Sequence, residues 1–519
     1  MLDDGFRQEM TFPVCLIIPP SPFLLDERVF MSLGILRVAA VLEQAGIAVE
    51  VVDLSGVENY CEAIQDHAMI SPAPVFGVTA TTPQMPAVRV ILETLREARP
   101  DARIILGGPH LTLVNAAAKS ERAKRISGRA QRALDHLSDL FDVLVAGDGE
   151  VAIFEALRQG APKLVDADDP KSRLFLSNEG LNALPFPARH LVDVASYQYA
   201  IDKVPALSLI AQLGCPFACG FCGGRQSPML RRIRTRTTDS VVDEVVYLYK
   251  TYDIRGFMFY DDELNVNPQM VALMQALEAA QKDLGTEFRL RGFIKAELFT
   301  DEQAEAMFRA GFRWILTGFE SGAPRILENI NKKATREDNT RCVEIAKRHR
   351  LKVKALMSLG HPGESTDTAQ ETYEWLLQVR PDDFDMTIIT TYPGTPYYDQ
   401  AVPHPDNPNV WVYTCQKSGD RLYADEVDYT RVADYYKGNP DGGYTSFVYT
   451  DSLSREDLVW MRDFIEFDVR EKLGIPFHSS AAAIRYEHSM GQFGRALPTN
   501  LLKTTSGAVD QQGFAKLVG

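Results

Sequence analysis

Cys215, Cys219 and Cys222 fall within eight residues, in Leu213-Gly214-Cys215-Pro216-Phe217-Ala218-Cys219-Gly220-Phe221-Cys222-Gly223-Gly224, with C-x3-C-x2-C spacing. Three thiolates on one tight loop can hold three corners of an iron–sulfur cubane, because such clusters favour Cys ligands. A [4Fe–4S] cluster held this way leaves one iron open, and an open iron can chelate a substrate. Two other readings fit the same residues: a zinc site, which would want a fourth Cys or His, and three unrelated buried cysteines. The position of the trio on a βα loop favours the cluster. Cys15, Cys61, Cys342 and Cys415 are scattered, and seven cysteines in 519 residues are too few for a disulfide scaffold.

The elements that must position the trio can be read from hydrophobic periodicity. Strand-like runs at 208–212, 256–260, 288–293, 314–317, 353–359 and 384–390 alternate with helical patterns near 240–250, 268–282, 301–309, 336–348 and 367–378. Six β/α units predict an open or partial barrel with its chemistry at the strand C-termini. Thr300-Asp301-Glu302-Gln303 has capping-box form and sets one helix start. Upstream, runs at 14–18, 48–53, 75–79, 103–106 and 142–146 alternate with helical patterns such as Ile35, Val38, Leu42 and Ala45. This predicts a doubly wound, Rossmann-like α/β domain over 12–176. Residues 177–202, with Pro185 and Pro187 and no clear period, read as a linker. The barrel takes 203–400. A small α-containing C-terminal cap takes 401–519, with a helix starting at Ser454-Arg455-Glu456-Asp457 and stopped by Gly474 and Pro476.

At roughly 150 residues per domain, 519 residues make two to four domains, and 45% hydrophobic residues can build their cores. Lys and Arg number 55 against 70 Asp and Glu, and the resulting charge of −15 repels polyanions, so nucleic acid is not expected as a partner. No uninterrupted apolar run reaches about 18 residues, and residues 1–10 carry acidic groups without an apolar leader core. A cytoplasmic chain with no transmembrane segment is expected.

Cys215, Cys219, Phe221 and Cys222 match the C-x3-C-x-aromatic-C motif, and on these residues the chain resembles the radical S-adenosylmethionine (SAM) superfamily. The resemblance implies that the three cysteines bind [4Fe–4S] and that the open iron takes the amino and carboxylate groups of SAM. Reduction would then cleave SAM to methionine and a 5′-deoxyadenosyl radical, with a flavodoxin or ferredoxin as electron donor. Further family-like segments end successive expected strands: Phe259-Tyr260-Asp261-Asp262-Glu263, Gly318-Phe319-Glu320-Ser321-Gly322, Gly360-His361-Pro362-Gly363-Glu364 and Tyr392-Pro393-Gly394-Thr395-Pro396. The candidate SAM contacts are Phe221, Asp261, Asp262, Glu320 and Ser321. Glu320 and Ser321 suit the ammonium or ribose through charge-assisted hydrogen bonds, and the aspartates suit ribose hydroxyls. Capping and loop satisfaction are the other roles open to each.

The N-terminal domain resembles the cobalamin-binding domain that precedes many radical SAM barrels. The segments that carry this are Ser32-Leu33-Gly34-Ile35-Leu36, Gly77-Val78-Thr79-Ala80-Thr81-Thr82, Gly107-Gly108-Pro109-His110 and Gly147-Asp148-Gly149-Glu150. They fall where open α/β sheets bind ligands. The candidate cobalamin contacts are Ser32, Leu33, Gly34, Thr79, Thr81, Gly107, Gly108, Pro109, Gly147, Asp148, Gly149 and Glu150. The D-x-H-x-x-G loop that supplies a His ligand to cobalt is missing, so cobalamin is expected with its base displaced and no His ligand. His110, after Gly-Gly-Pro, reads as a loop or packing residue. A Rossmann-like domain that only packs on the barrel is the rival reading.

Together the two resemblances imply methylation of an unactivated carbon of a small-molecule metabolite. One SAM would methylate the corrinoid and a second would generate the substrate radical that takes the methyl group. The alternative is radical-mediated oxidative cyclisation or rearrangement without net methyl transfer. Methylthiotransferases would need a further N-terminal cysteine trio, and only Cys15 and Cys61 precede residue 177. Arg231, Arg232, Arg234 and Arg236 suit either an anionic group near the cluster or acid-paired surface positions. The aromatic series Trp411, Tyr413, Tyr423, Tyr429, Tyr435, Tyr436, Tyr444 and Tyr449 suits either a substrate wall or the core of the cap.

Overall fold

A computed structural model describes residues 12–21, 24, 27–126, 128–436 and 444–476. The expectation about residues 1–10, and the part of the expected cap beyond 476, lie outside the described residues.

Continuous apolar runs build a parallel sheet covered on both faces. Its strands are β1 (Val14–Ile18), β2 (Val49–Asp53), β3 (Val75–Thr79), β4 (Arg103–Gly107), β5 (Val143–Gly147) and β6 (Leu164–Ala167), in the order β2-β1-β3-β4-β5-β6. Val14, Leu16 and Ile18 pack under the helices Leu33–Gln44 and Gly149–Leu157, whereas Cys15 and Ile17 pack under helices on the opposite face. The strand order reverses at β1, and the loops at the C-terminal ends part there. The expected doubly wound domain is borne out. The short sixth strand, β6, was not foreseen in the sequence.

The second sheet curls into an open half-barrel. Its strands are β7 (Ala200–Ile201), β8 (Val204–Leu209), β11 (Gly256–Phe259), β12 (Arg289–Phe293), β13 (Phe312–Glu320), β14 (Lys352–Leu359) and β15 (Asp383–Ile388). They run β15-β14-β13-β12-β11-β8-β7, with six parallel strands and β7 antiparallel at the edge. A small antiparallel pair, β9 (Gln212–Leu213) and β10 (Arg234–Thr235), brackets the cysteine loop. The capping box at Thr300 forms as expected, with the Gln303 N–H donating to Thr300 Oγ1 (3.2 Å) and the Thr300 N–H to Gln303 Oε1 (3.3 Å).

Two segments depart from the sequence reading. The 177–202 linker is ordered: it holds the helix Asn178–Ala183 and contributes β7 to the half-barrel. Its Ala188 N–H donates to the Leu36 carbonyl (3.0 Å), and its Arg189 is 1% exposed and paired with Glu244 (2.7 Å). The segment after 400 is chiefly β structure: Val402–His404, Asn407–Thr414, Arg421–Asp425 and Val448–Thr450 form an antiparallel sheet. The helix Arg455–Leu473 then lies along β15, where Arg462 Nε donates to the Met386 carbonyl (2.8 Å) and Glu466 accepts from the Met386 N–H (2.8 Å). It covers β15 as a barrel helix does. No helix among the described residues is long and apolar enough to cross a membrane.

Candidate active site and cofactor cavity

The cysteine loop leaves the C-terminal end of β8, and its backbone is pinned from several elements. Cys215 N–H donates to the Leu230 carbonyl (3.0 Å), Gly220 N–H to the Ile330 carbonyl (2.8 Å), and Tyr397 N–H to the Gly220 carbonyl (3.2 Å). Asn331 Nδ2 donates to the Ala218 carbonyl (3.1 Å), Arg231 to the Pro216 carbonyl (2.8 Å), and Arg225 to the Phe217 carbonyl. Gly214 has φ +87°, and a Cβ there would lie 2.1 Å from the Arg232 carbonyl oxygen, so only glycine fits.

All three cysteines are free; Cys222 is exposed, Cys215 half-buried and Cys219 buried. Burial pushes the Cys215 and Cys219 thiols up from their ordinary value, Cys215 to about 11. Metal binding here would therefore release protons. Among the described residues only Cys15, Glu50 and His67 bring three ligand atoms within 4.8 Å of one another. Those three hydrogen-bond among themselves, with His67 Nε2 3.0 Å from Glu50 Oε2 and 3.6 Å from Cys15 Sγ. The sulfurs of Cys215, Cys219 and Cys222 do not all lie within 4.8 Å of one another.

The surroundings of the trio are strongly charged. Glu320 sits at φ +65°, where β13 bulges against β14. Its carboxylate accepts from Lys332 Nζ (3.0 Å) and Ser358 Oγ (2.9 Å). Ser358 Oγ meets His361 Nε2 (2.8 Å), and His361 Nδ1 meets Tyr397 Oη (3.3 Å). Phe221 packs edge-on to His361, with ring centroids 5.3 Å apart. Burial would lower the Lys332 ammonium, but Glu320, Cys219 and Glu263 together hold it above the ordinary lysine range. Buried Lys295 pairs with Glu297 (2.9 Å) and lies 4.2 Å from the centre of the Phe217 ring. Burial lifts Glu263 to about 7 against the pull of both lysines.

Of the candidate SAM residues, Phe221, Asp262 and Glu320 stand around the cysteines. Asp262 is exposed at its surface yet enclosed by protein, which raises its carboxyl, and its charge reaches Cys215 and Cys222. Asp261 and Ser321 are engaged elsewhere. The Asp261 carboxylate accepts from the Ala211 N–H (3.1 Å) and the Gln212 N–H, tying the end of β11 to the end of β8. Ser321 Oγ meets Thr372 Oγ1 (2.9 Å) and accepts from the Ala323 N–H (3.1 Å). Sequence reasoning missed Lys295, Lys332 and Glu263. The position of Lys295 just after β12 is a signal that could have found it; Lys332 lies in a turn without a periodic pattern.

A cavity of about 280 Å³ opens at the C-terminal ends of the first sheet. Leu16, Ile105 and Val145 give it an apolar wall, Ile210, Leu213, Met229 and Leu230 close it from the half-barrel, and Arg37 and Thr112 line it from helices. All the candidate cobalamin residues except Leu33 line it. Leu33, one helical step from Gly34, packs into the half-barrel core instead. Gly108 has φ +97°, and a Cβ there would lie 2.6 Å from Thr79 Oγ1. Asp148 lines the cavity, but its carboxylate is held by Arg234 (2.6 Å) and the Leu176 N–H (3.0 Å). His110 does not line it; its Nδ1 meets Thr82 Oγ1 (3.1 Å), and burial lowers the imidazole to about 4.

The two sites share a wall. Leu230 lines the cavity, and its carbonyl accepts from Cys215 N–H. The turn that carries it is held to the first domain by Asp168, which accepts from Ser227 Oγ (2.7 Å) and the Met229 N–H (2.8 Å). Two of the four arginines in the run are acid-paired, Arg234 with Asp148 and Arg236 with Glu244, whereas Arg231 donates to the Pro216 carbonyl and Arg232 lies over the Phe175 ring. Several residues of the aromatic series brace the fold. Tyr444 Oη accepts from the Ile388 N–H (2.9 Å), Tyr429 Oη donates to the Thr391 carbonyl (2.7 Å), and the Trp411 ring stacks with Arg129 at 4.1 Å. Cys342 is fully buried, and Cys415 is buried with Sγ 3.6 Å from Asn329 Oδ1.

Residues 209–376 match the Radical SAM superfamily and residues 27–138 match the B12 binding domain. An uncharacterised methyltransferase of Pyrococcus horikoshii is 25% identical over 339 residues, covering 63% of this chain and 69% of that protein. The anaerobic magnesium-protoporphyrin IX monomethyl ester cyclase of Rubrivivax gelatinosus is 25% identical over 343 residues, covering 63% of this chain and 58% of that protein. The fold is similar to that of the radical SAM methyltransferase TsrM from Kitasatospora setae, solved with cobalamin and a [4Fe–4S] cluster bound. That match has a TM-score of 0.62 at 17% identity and covers 89% of this chain and 91% of TsrM. The chain thus combines a radical SAM domain with a B12 binding domain, and its relatives include a protein named as a methyltransferase. Its two domains imply a [4Fe–4S] cluster, SAM and cobalamin as cofactors.

Proposed function

We propose that this protein is a cobalamin-dependent radical SAM methyltransferase that acts on an unactivated carbon of a small-molecule metabolite. The observation that carries the reading is the shared wall: Leu230 borders the cavity at the sheet ends and its carbonyl accepts from Cys215 N–H, so the two cofactor sites would lie side by side. When bound, the reduced cluster supplies the electron that cleaves SAM, and cobalamin supplies a methyl carrier. Cys215, Cys219 and Cys222 hold the cluster. Phe221, Asp262, Glu320 and Lys332 surround the place left for SAM, with Glu320 oriented by Lys332 and Ser358. The glycine-lined cavity takes a flat, largely apolar part of cobalamin, such as its displaced base. Its volume of about 280 Å³ suits one such ring system. The protein's own work is to position reactants and exclude water, while a reductant of the flavodoxin or ferredoxin kind delivers electrons.

The test is anaerobic incubation of the reconstituted full chain with SAM, dithionite and a metabolite extract. The expected products are 5′-deoxyadenosine together with S-adenosylhomocysteine. 5′-Deoxyadenosine alone would favour the cyclase-like reading that the Rubrivivax relative raises, and neither product would overturn the proposal.

A further inference from the structure

Arg37 lines the cavity from the helix Leu33–Gln44 and is only 5% exposed. Among the described residues no hydrogen bond or ion pair reaches its guanidinium. The other arginines near it are engaged: Arg189 and Arg236 share Glu244, and Arg234 holds Asp148 at 2.6 Å. The groups whose charge Arg37 feels are Glu150, Glu244, Arg236 and Arg189. Glu150 also lines the cavity, yet makes no ion pair with Arg37. Arg37, Arg189, Arg234 and Arg236 thus face Asp148, Glu150 and Glu244, four cations against three carboxylates.

A buried cation without a partner is costly unless an anion joins it. Guanidinium presents a planar fork that matches the oxygens of a phosphate. Cobalamin brings one such group: its corrin amides are neutral, while the phosphodiester of its nucleotide tail carries one negative charge. We propose that Arg37 is an anchor for the phosphodiester of the cobalamin nucleotide tail, so that the cavity recognises the tail by charge as well as by shape. This rests on the reading that the N-terminal domain holds cobalamin.

The experiment compares hydroxocobalamin with cobinamide, which has the corrin but lacks the nucleotide tail. Both are titrated by equilibrium dialysis into the reconstituted full chain, as wild type, Arg37→Met and Arg37→Lys. The expected result is a wild-type preference for cobalamin of about tenfold or more, the scale of one charge-assisted contact. Arg37→Met should lose most of that preference while binding cobinamide as the wild type does, and Arg37→Lys should regain part of it. Unchanged iron content and thermal midpoint in each variant confirm that the fold is kept. Arg37→Met weakening both corrinoids equally, or neither, would overturn the anchor and leave the cobalamin reading standing. Failure of the wild type to hold either corrinoid would overturn both.

Discussion

The cofactor cavity and the cysteine cradle meet at Leu230 and are built in opposite ways. The cavity is made largely of missing side chains: Gly77, Gly107, Gly108, Gly147 and Gly149 bring backbone to its surface, over an apolar wall. The cradle is crowded with ionisable groups, the three cysteines with Glu263, Glu320, Lys295 and Lys332 around them. The cavity therefore offers mainly shape, with Arg37, Asp148 and Glu150 as its charged lining, while the cradle offers ligating and charged groups. Substitutions in one should leave the other's cofactor in place.

The sharpest separation is expected from Cys215→Ala, Cys219→Ala or Cys222→Ala. Each should reduce cluster iron and SAM cleavage to background while corrinoid retention stays at the wild-type level. Joint loss of iron and corrinoid would mean that the two regions are not separable. Next in size is Lys332→Met, which strands the Glu320 carboxylate in a pair whose side chains are only 6% and 12% exposed. Removing one partner of a buried pair costs about 3–5 kcal/mol, read as a fall in the denaturation midpoint. Adding Glu320→Gln should recover part of that loss, and no recovery would show that Lys332 acts through other contacts.

Gly108→Ala probes the cavity side. At φ +97°, with Thr79 Oγ1 2.6 Å from the new Cβ, strain of about 1–3 kcal/mol is expected. Corrinoid retention should fall and cluster iron should hold; intact corrinoid binding would refute the requirement for a bare backbone there. The smallest effect concerns the joint between the regions. Burial raises the Asp168 carboxyl to about 6, although its bonds to Met229 and Ser227 pull it down. Because the folded pKa lies above the unfolded one, folding favours the protonated form. Stability should decline as pH rises from about 4 to 6, by on the order of 1 kcal/mol after screening, and then level off. Asp168→Asn keeps an acceptor for Ser227 and Met229, and should flatten that slope in a pH series of denaturation curves.

The cavity was more legible in sequence than the cradle, for a physical reason. Buried parallel strands write continuous apolar runs, and the glycines that follow them mark strand ends without any knowledge of side-chain direction. The cysteine trio is equally local. The charged surround is not: Glu263, Lys295, Glu320 and Lys332 come from separate strand ends and a turn, and meet only when the sheet curls. Asp261 and Ser321 occupy strand ends as expected, but neighbouring N–H groups capture their side chains, and direction of that kind is not written in residue spacing. Leu33 misses the cavity for the same reason. The helix Arg455–Leu473 read as part of a cap because an inserted antiparallel sheet separates it from β15, the strand it covers.

The most direct test is iron and corrinoid quantitation after anaerobic reconstitution with iron, sulfide and hydroxocobalamin, followed by desalting. About four irons and one corrinoid retained per chain, with the spectrum of a displaced base, is the expected result. Iron retained without corrinoid would contradict the two-cofactor assignment and reduce the N-terminal domain to a scaffold for a cobalamin-independent radical enzyme.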